Sequence, residues 1–274
     1  MSPPTIALLA PRLRVEERQL IAAFQERGHA ATLLDAATLA LPLDGAATSL
    51  PALALDREIA TVELATLAAL LATNGSVVVN RAATVRLLAD RLALLRHLIV
   101  AKIPTPRTVV AFGEDVAVAA LERIGYPALL QSLQVDPRMP DAYVPDRDAG
   151  EAAVEHRAML GHERAVLVQQ YILGPVSRVI VVGSEVAAVE AITDDGLAPY
   201  AGDVATLTEL SERVIARLGS GIYAIEIVDS DEGPIVVGAG NLVDFRTLQE
   251  SGVDVAGKIA DYALSQLREV SDGG

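Results

Sequence analysis

Gly125-Tyr126-Pro127-Ala128-Leu129-Leu130-Gln131-Ser132 is the stretch from which the architecture is read. Ahead of it, Glu114 to Ile124 carries apolar residues at helical spacing, and Gly125 stands where a helix cap belongs. After Pro127, Ala128 to Gln131 is a short apolar run suited to a buried strand. Helix, glycine stop and buried strand is the repeating unit of an α/β chain, and the same alternation extends in both directions.

Upstream, strands are expected at Thr5 to Leu9, Ala30 to Leu34, Ala52 to Leu55, Val77 to Val79 and Thr108 to Ala111. Helices are expected at Val15 to Arg27, with Gly28 as a left-handed cap, near Glu58 to Ala72, and at Thr84 to Ala101, capped by Thr84 and stopped before Pro104. A first lobe ends near Arg81. Downstream, Gln134 to Pro145 reads as irregular, followed by helix Asp148 to Leu160 and strand Val166 to Gln170. Strands Val179 to Val182 and Val186 to Ala191, helix Leu207 to Leu218, strands Ile222 to Val228 and Ile235 to Val237, and helix Val255 to Leu267 complete the chain.

A length of 274 residues, with 51% hydrophobic and 21% charged side chains, is enough for one large or two modest cores. Mean hydropathy is +0.37, yet no stretch approaches the roughly 18–20 apolar residues that span a bilayer. The opening Met-Ser-Pro-Pro-Thr lacks the basic n-region of a signal peptide, so a cytoplasmic location is expected. The absence of cysteine removes disulfides, thiolate nucleophiles and cysteine-held metals. A net charge of −14 without a basic patch argues against nucleic acid and anionic lipid.

Most local motifs read as ordinary structure. Gly252-Val253-Asp254-Val255-Ala256-Gly257-Lys258 approaches a phosphate-binding loop, but Ile259 follows the lysine and no strand precedes it, so it reads as a turn and helix start. His29, His97, His156 and His162 lack the spacing of a metal helix and read as surface or capping residues. A Gly-x-Ser-x-Gly elbow and a dinucleotide fingerprint are both missing.

The remaining signal is an ordered series: Val79-Asn80-Arg81, Ala89-Asp90-Arg91, Pro104-Thr105-Pro106-Arg107-Thr108, the 125–132 stretch, Gln169-Gln170-Tyr171-Ile172, Ser177-Arg178-Val179 and Gly252-Val253-Asp254. From about Ile6 to Leu267 it resembles the ATP-grasp superfamily, above all the carboxylate–amine ligases similar to LysX of lysine biosynthesis and to RimK. The resemblance implies an N-terminal α/β pre-ATP-grasp domain over 1–82, a central lobe over 83–172 and a C-terminal lobe over 173–274. These lobes would close on ATP and magnesium, and ATP would convert a carboxylate into an acylphosphate for attack by an amine.

Carried residue by residue, the resemblance meets departures. Gln131 stands where the family's phosphate-gripping lysine belongs, and Arg91 replaces the lysine of an Asp-Lys pair. Losing one charge-assisted contact costs roughly 1.5–3 kcal/mol. The glycine-rich lid is replaced by Gln134-Val135-Asp136-Pro137-Arg138-Met139-Pro140, whose prolines donate no amide. Gln169, Gln170 and Tyr171 match the adenine-side hinge, and Arg178 is kept. The arginines expected after the strand ending at Ala191 are replaced by Ile192-Thr193-Asp194-Asp195. The metal ligands map to Glu226, Ala239 and Asn241, so the middle carboxylate is a methyl group.

Arg91 and Arg178 read as structural ion-pair partners, Gln131 as a neutral filler of the cleft, and Glu226 either as a solvated strand-end acid or as a weak metal ligand. The expectation is a ligase fold that has lost ATP-dependent activity and acts by binding or association, as a homo-oligomer or with an active paralogue. The alternative is a working ATP- and magnesium-dependent ligase with Arg91, Arg138 or Arg178 on phosphates and Glu226, Asn241 and Asp244 on magnesium. A third reading is a cleft for another nucleotide or a small anion near Gln131 and Tyr171. An acidic carrier protein is disfavoured by charge.

Overall fold

The computed structural model describes residues 5–43, 50–160 and 165–272. The N-terminal lobe runs β1 (Ile6–Leu9), α1 (Val15–Glu26), β2 (Ala31–Leu34), β3 (Leu53–Asp56), α2 (Val62–Thr73) and β4 (Val77–Val79). Its strands form a parallel sheet in the order β2-β1-β3-β4. The four residues of β1, and likewise those of β3, are all buried, as expected for central parallel strands covered on both faces.

α3 (Ala82–Ala89) and α4 (Arg91–Val100) then lead into the central lobe of β5 (Thr108–Ala111), α5 (Glu114–Ile124), β6 (Ala128–Ser132), β7 (Ala142–Val144), α6 (Arg147–Leu160) and β8 (Val166–Gln170). Its antiparallel sheet has the order β5-β8-β6-β7 and a core of its own around Leu121, Leu130 and Val168. Gly125, with φ +90°, ends α5 in a conformation that L side chains resist.

The last lobe contains β9 (Val176–Gly183), β10 (Glu185–Thr193), β11 (Gly196–Pro199), α7 (Val204–Leu218), β12 (Gly221–Ser230), β13 (Gly233–Gly240), α8 (Arg246–Glu250) and α9 (Val255–Asp272). Its sheet, ordered β11-β10-β9-β12-β13, alternates two apolar faces. Ile180, Val182, Ile222 and Ala224 pack with β1, β3, α1 and α9, whereas Val179, Val181, Tyr223 and Ile225 pack with α3, α4 and α7. This two-sided burial joins the N-terminal and C-terminal lobes into one packed body.

Several expectations need correction. The helix over 84–101 is two helices, because Asp90 is extended (φ −108°, ψ 95°) and its carboxylate accepts from the Ala93 N–H at 2.8 Å. Thr84 is therefore a buried residue inside α3 rather than a cap. α2 starts at Val62, not Glu58, since Thr61 caps it by accepting from Leu64 N–H. The irregular segment 134–145 contains β7, which completes the edge of the central sheet against β6. β11 and α8 were not foreseen. His162 lies outside the described residues. The 252–258 segment is a turn followed by a helix start, and Lys258 Nζ donates to the Ala187 carbonyl at 2.9 Å.

Candidate nucleotide cleft

The chain brings the sequence-derived site residues to the edges where the lobes meet, and Arg91 and Arg178 there each face a carboxylate. Gln131, near the end of β6, is buried and donates from Nε2 to Asp141 Oδ2 at 2.8 Å. Arg91, at the start of α4, reaches the same carboxylate at 3.1 Å and donates to the Ser132 carbonyl at 3.3 Å. Asp141 stands just ahead of β7, so strand pairing delivers one acid onto both Gln131 and Arg91. A guanidinium so neutralised offers a polyanion little net attraction.

The lid segment is fastened as well. Arg91 N–H donates to the Leu133 carbonyl (2.9 Å), Val135 N–H to the Ala89 carbonyl (2.8 Å), and Asp90 and Gln134 form an antiparallel bridge. These bonds tie 133–135 to the α3–α4 joint and occupy one backbone amide of the segment, that of Val135. Beyond them, Arg138 directs Nε and Nη2 at Asp136, both at 2.9 Å. A cavity of about 410 Å³ separates this segment from Thr61, Val62 and Glu63.

At the hinge, Gln170 N–H donates to the Arg107 carbonyl at 2.8 Å and Tyr171 N–H to the Pro127 carbonyl at 3.2 Å. Gln169 Nε2 donates to Thr108 Oγ1 at 3.2 Å, and Gln170 Oε1 accepts from Arg107 Nε at 3.0 Å. The Tyr171 ring meets Tyr143 edge-on, with centroids 5.0 Å apart.

Across the C-terminal sheet, Glu190 on β10, Arg178 on β9 and Glu226 on β12 lie side by side in one row. Arg178 Nη2 lies 3.4 Å from Glu226 Oε1. Glu190 is completely buried, and neither carboxylate oxygen has a hydrogen-bond partner among the described residues. Burial pushes its pKa up to about 7 against the pull of Arg178, and Asp244 adds to the rise. Sequence reasoning missed Glu190; an acid in the middle of an apolar strand run was the available signal.

Asn241 Oδ1 is buried and has no hydrogen-bond partner among the described residues. Its Nδ2 donates to Asp56 Oδ1 at 3.2 Å and to the Glu58 carbonyl at 2.9 Å. Asp56, buried at the end of β3, also accepts from the Asn80 N–H at 2.9 Å, and burial raises its pKa to about 7 despite these bonds. Asn80 in turn exchanges bonds with Ile222, donating at 2.7 Å and accepting at 2.6 Å. The amide at 241 thus helps fasten one lobe to the other. Among the described residues no group of three or more His, Cys, Asp or Glu side chains is arranged to hold a metal ion.

A second ionic cluster supports the loops after β1 and β3. Glu17 has no exposed side-chain area and accepts from Arg14 (Nη2 to Oε1, 2.8 Å) and from Arg57 (Nε to Oε1, 3.1 Å). Burial alone would raise its pKa, but the two guanidiniums outweigh burial and hold it below the ordinary carboxyl value. Arg57 also lies 5.5 Å from the centre of the Phe245 ring.

Glu190 supplies a prediction with a definite sign. A carboxyl whose folded pKa is raised favours the folded state below about pH 4.5 and loses that contribution as pH rises to about 7. Glu190→Gln should therefore be more stable than the parent at pH 8, by about 2–3 kcal/mol, with the difference fading near pH 4.5. Urea midpoints across pH measure it; equal midpoints at pH 8 would contradict it.

A parallel N-terminal sheet followed by two antiparallel sheets that meet at a cleft is the architecture of an ATP-grasp protein. The family model described as the LysX preATP-grasp domain matches residues 6–87. A solved structure of a RimK domain protein ATP-grasp from Sphaerobacter thermophilus is 56% identical, covers 95% of this chain and 99% of its own, and superposes with TM-score 0.90. The glutamate–LysW ligase ArgX of Sulfolobus acidocaldarius is 23% identical over 94% of this chain and 97% of its own. The D-alanine–D-alanine ligase of Bacillus anthracis, 13% identical over all of both chains with TM-score 0.75, shares the fold. The chain belongs to the LysX/RimK-like ATP-grasp family.

Proposed function

We propose that this ATP-grasp protein works by binding or association and has lost the ATP-dependent ligation of its family. The observation that carries this reading is Asp141, which takes both the Gln131 amide and the Arg91 guanidinium at the positions corresponding to phosphate grips. Three further features support it: Arg178 faces Glu226, the lid is tied to the α3–α4 joint, and Asn241 serves Asp56. These residues do not suit ATP and magnesium, because a triphosphate–metal complex needs free cations and several hard oxygen ligands. The reading includes the lobe division at 82 and 172 and a cytoplasmic setting, with a second copy of this chain or an active paralogue as partner.

Phosphate release tests the proposal. With about 5 mM ATP and magnesium, far above ordinary KM values, and a mixture of amino acids supplying both carboxylates and amines, the full chain should release no phosphate above the buffer control. Turnover abolished by Glu226→Gln would overturn the proposal in favour of a working carboxylate–amine ligase with Glu226, Asn241 and Asp244 around magnesium.

A further inference from the structure

The N-terminal lobe has a groove that adjoins the cavity beside the lid segment at Thr61, Val62 and Glu63. About 440 Å³ in volume, it runs between the segment 36–41 and α2. Leu39, Leu41, Leu67 and Leu70 line it, and among the described residues Glu58 and Glu63 are the charged side chains on its walls. Glu58 Oε1 is buried and has no hydrogen-bond partner among the described residues. A buried acceptor without a donor carries a desolvation cost, and a rotation of the half-buried Glu58 side chain toward the groove would let a bound donor relieve it.

The chemistry of the lining narrows the ligand. Among the described residues an anion would meet two carboxylates and no cation, and the start of α2 is already served by Thr61 Oγ1 on Leu64 N–H and by Glu63 in its first turn. A hard metal ion needs six or more oxygen ligands, which leucine walls do not supply. A charged nitrogen on a hydrocarbon body suits both features, and a net charge of −14 favours its approach.

We propose that this groove binds an organic cation, a primary ammonium on a linear hydrocarbon chain, with the nitrogen on Glu58 and the chain along Leu39, Leu41, Leu67 and Leu70. The assignment deepens the binding role proposed above and rests on it. Phosphate release would remove that role, whereas the titrations below address the groove alone.

The probes are n-hexylammonium, hexanoate and 1-hexanol, titrated calorimetrically into the full chain. Hexylammonium should bind one to one, with hexanoate and hexanol at least about tenfold weaker. Shortening the chain to n-butylammonium should weaken binding by about tenfold, as expected for two methylenes leaving an apolar wall. Glu58→Gln should lose about tenfold in hexylammonium affinity. Leu67→Trp, which fills the groove and keeps the carboxylate, should abolish binding and serves as the readout if Glu58→Gln unfolds. Three results would each overturn the assignment: no heat from hexylammonium up to about 10 mM, equal binding of hexanoate, or undiminished binding by Leu67→Trp.

Discussion

Glu17→Ala should destabilise the protein by about 3–5 kcal/mol, the range for removing one partner from a buried ion pair. The side chain is fully buried and holds two guanidiniums at 2.8 and 3.1 Å. Without it, Arg57, only 1% exposed, would keep its charge with no acid on its Nε, and its two Nη atoms already lack hydrogen-bond partners among the described residues. The Phe245 ring would offset part of that, and Arg14 would retain Asp244 at 3.6 Å. Against a typical total stability of about 5–15 kcal/mol the loss is large, and a urea denaturation midpoint at pH 7 measures it. A change below about 1 kcal/mol would show that the cluster is no better than a surface pair. The pH dependence has a fixed sign. Because the Glu17 pKa is lowered, its contribution is present above about pH 4.5 and disappears as pH falls through the folded value. The parent and Glu17→Gln should therefore converge in acid.

Gln131→Lys combined with Asp141→Asn should raise magnesium–ATP affinity at least about tenfold, the lower bound for one charge-assisted contact. Both changes are needed. Gln131 Nε2 lies 2.8 Å from Asp141, so a lone lysine at 131 would fall onto that carboxylate and stay neutralised. Removing the acid also frees Arg91, which now shares it. The single variants should each gain less than about threefold, a non-additivity expected of residues in one network. Binding by the double variant no tighter than by the parent would mean that Gln131 and Asp141 do not limit nucleotide affinity in this cleft.

Much of the architecture was legible because strand and helix periods leave local marks. The all-buried runs at 6–9 and 53–56 and the helix ending at Gly125 need no partner to be recognised. The break at Asp90 was missed because the apolar pattern continues through it, and only the cap to Ala93 and the bridge to Gln134 reveal the extended residue. β7 was missed because a three-residue edge strand among prolines owes its pairing to β6.

At the site, sequence read Arg91 and Arg178 as ion-pair partners, and the structure pairs each with a carboxylate. It did not identify what they pair with. Arg91 and Asp141 are separated by 50 positions and Arg178 and Glu226 by 48, and long-range partners leave no local period. The same is true of Asn241, whose amide bonds Asp56 and Glu58 from 185 and 183 positions away. Glu58 had been placed in a helix; its position ahead of the Thr61 cap puts it in the wall of the groove.

Calorimetric titration of magnesium–ATP into the unaltered chain goes most directly to the central claim. With Arg91, Arg138 and Arg178 each held by a carboxylate, no saturable binding tighter than about 1 mM is expected, corresponding to less than about 4 kcal/mol of net attraction. A one-to-one isotherm in the micromolar range would contradict the account.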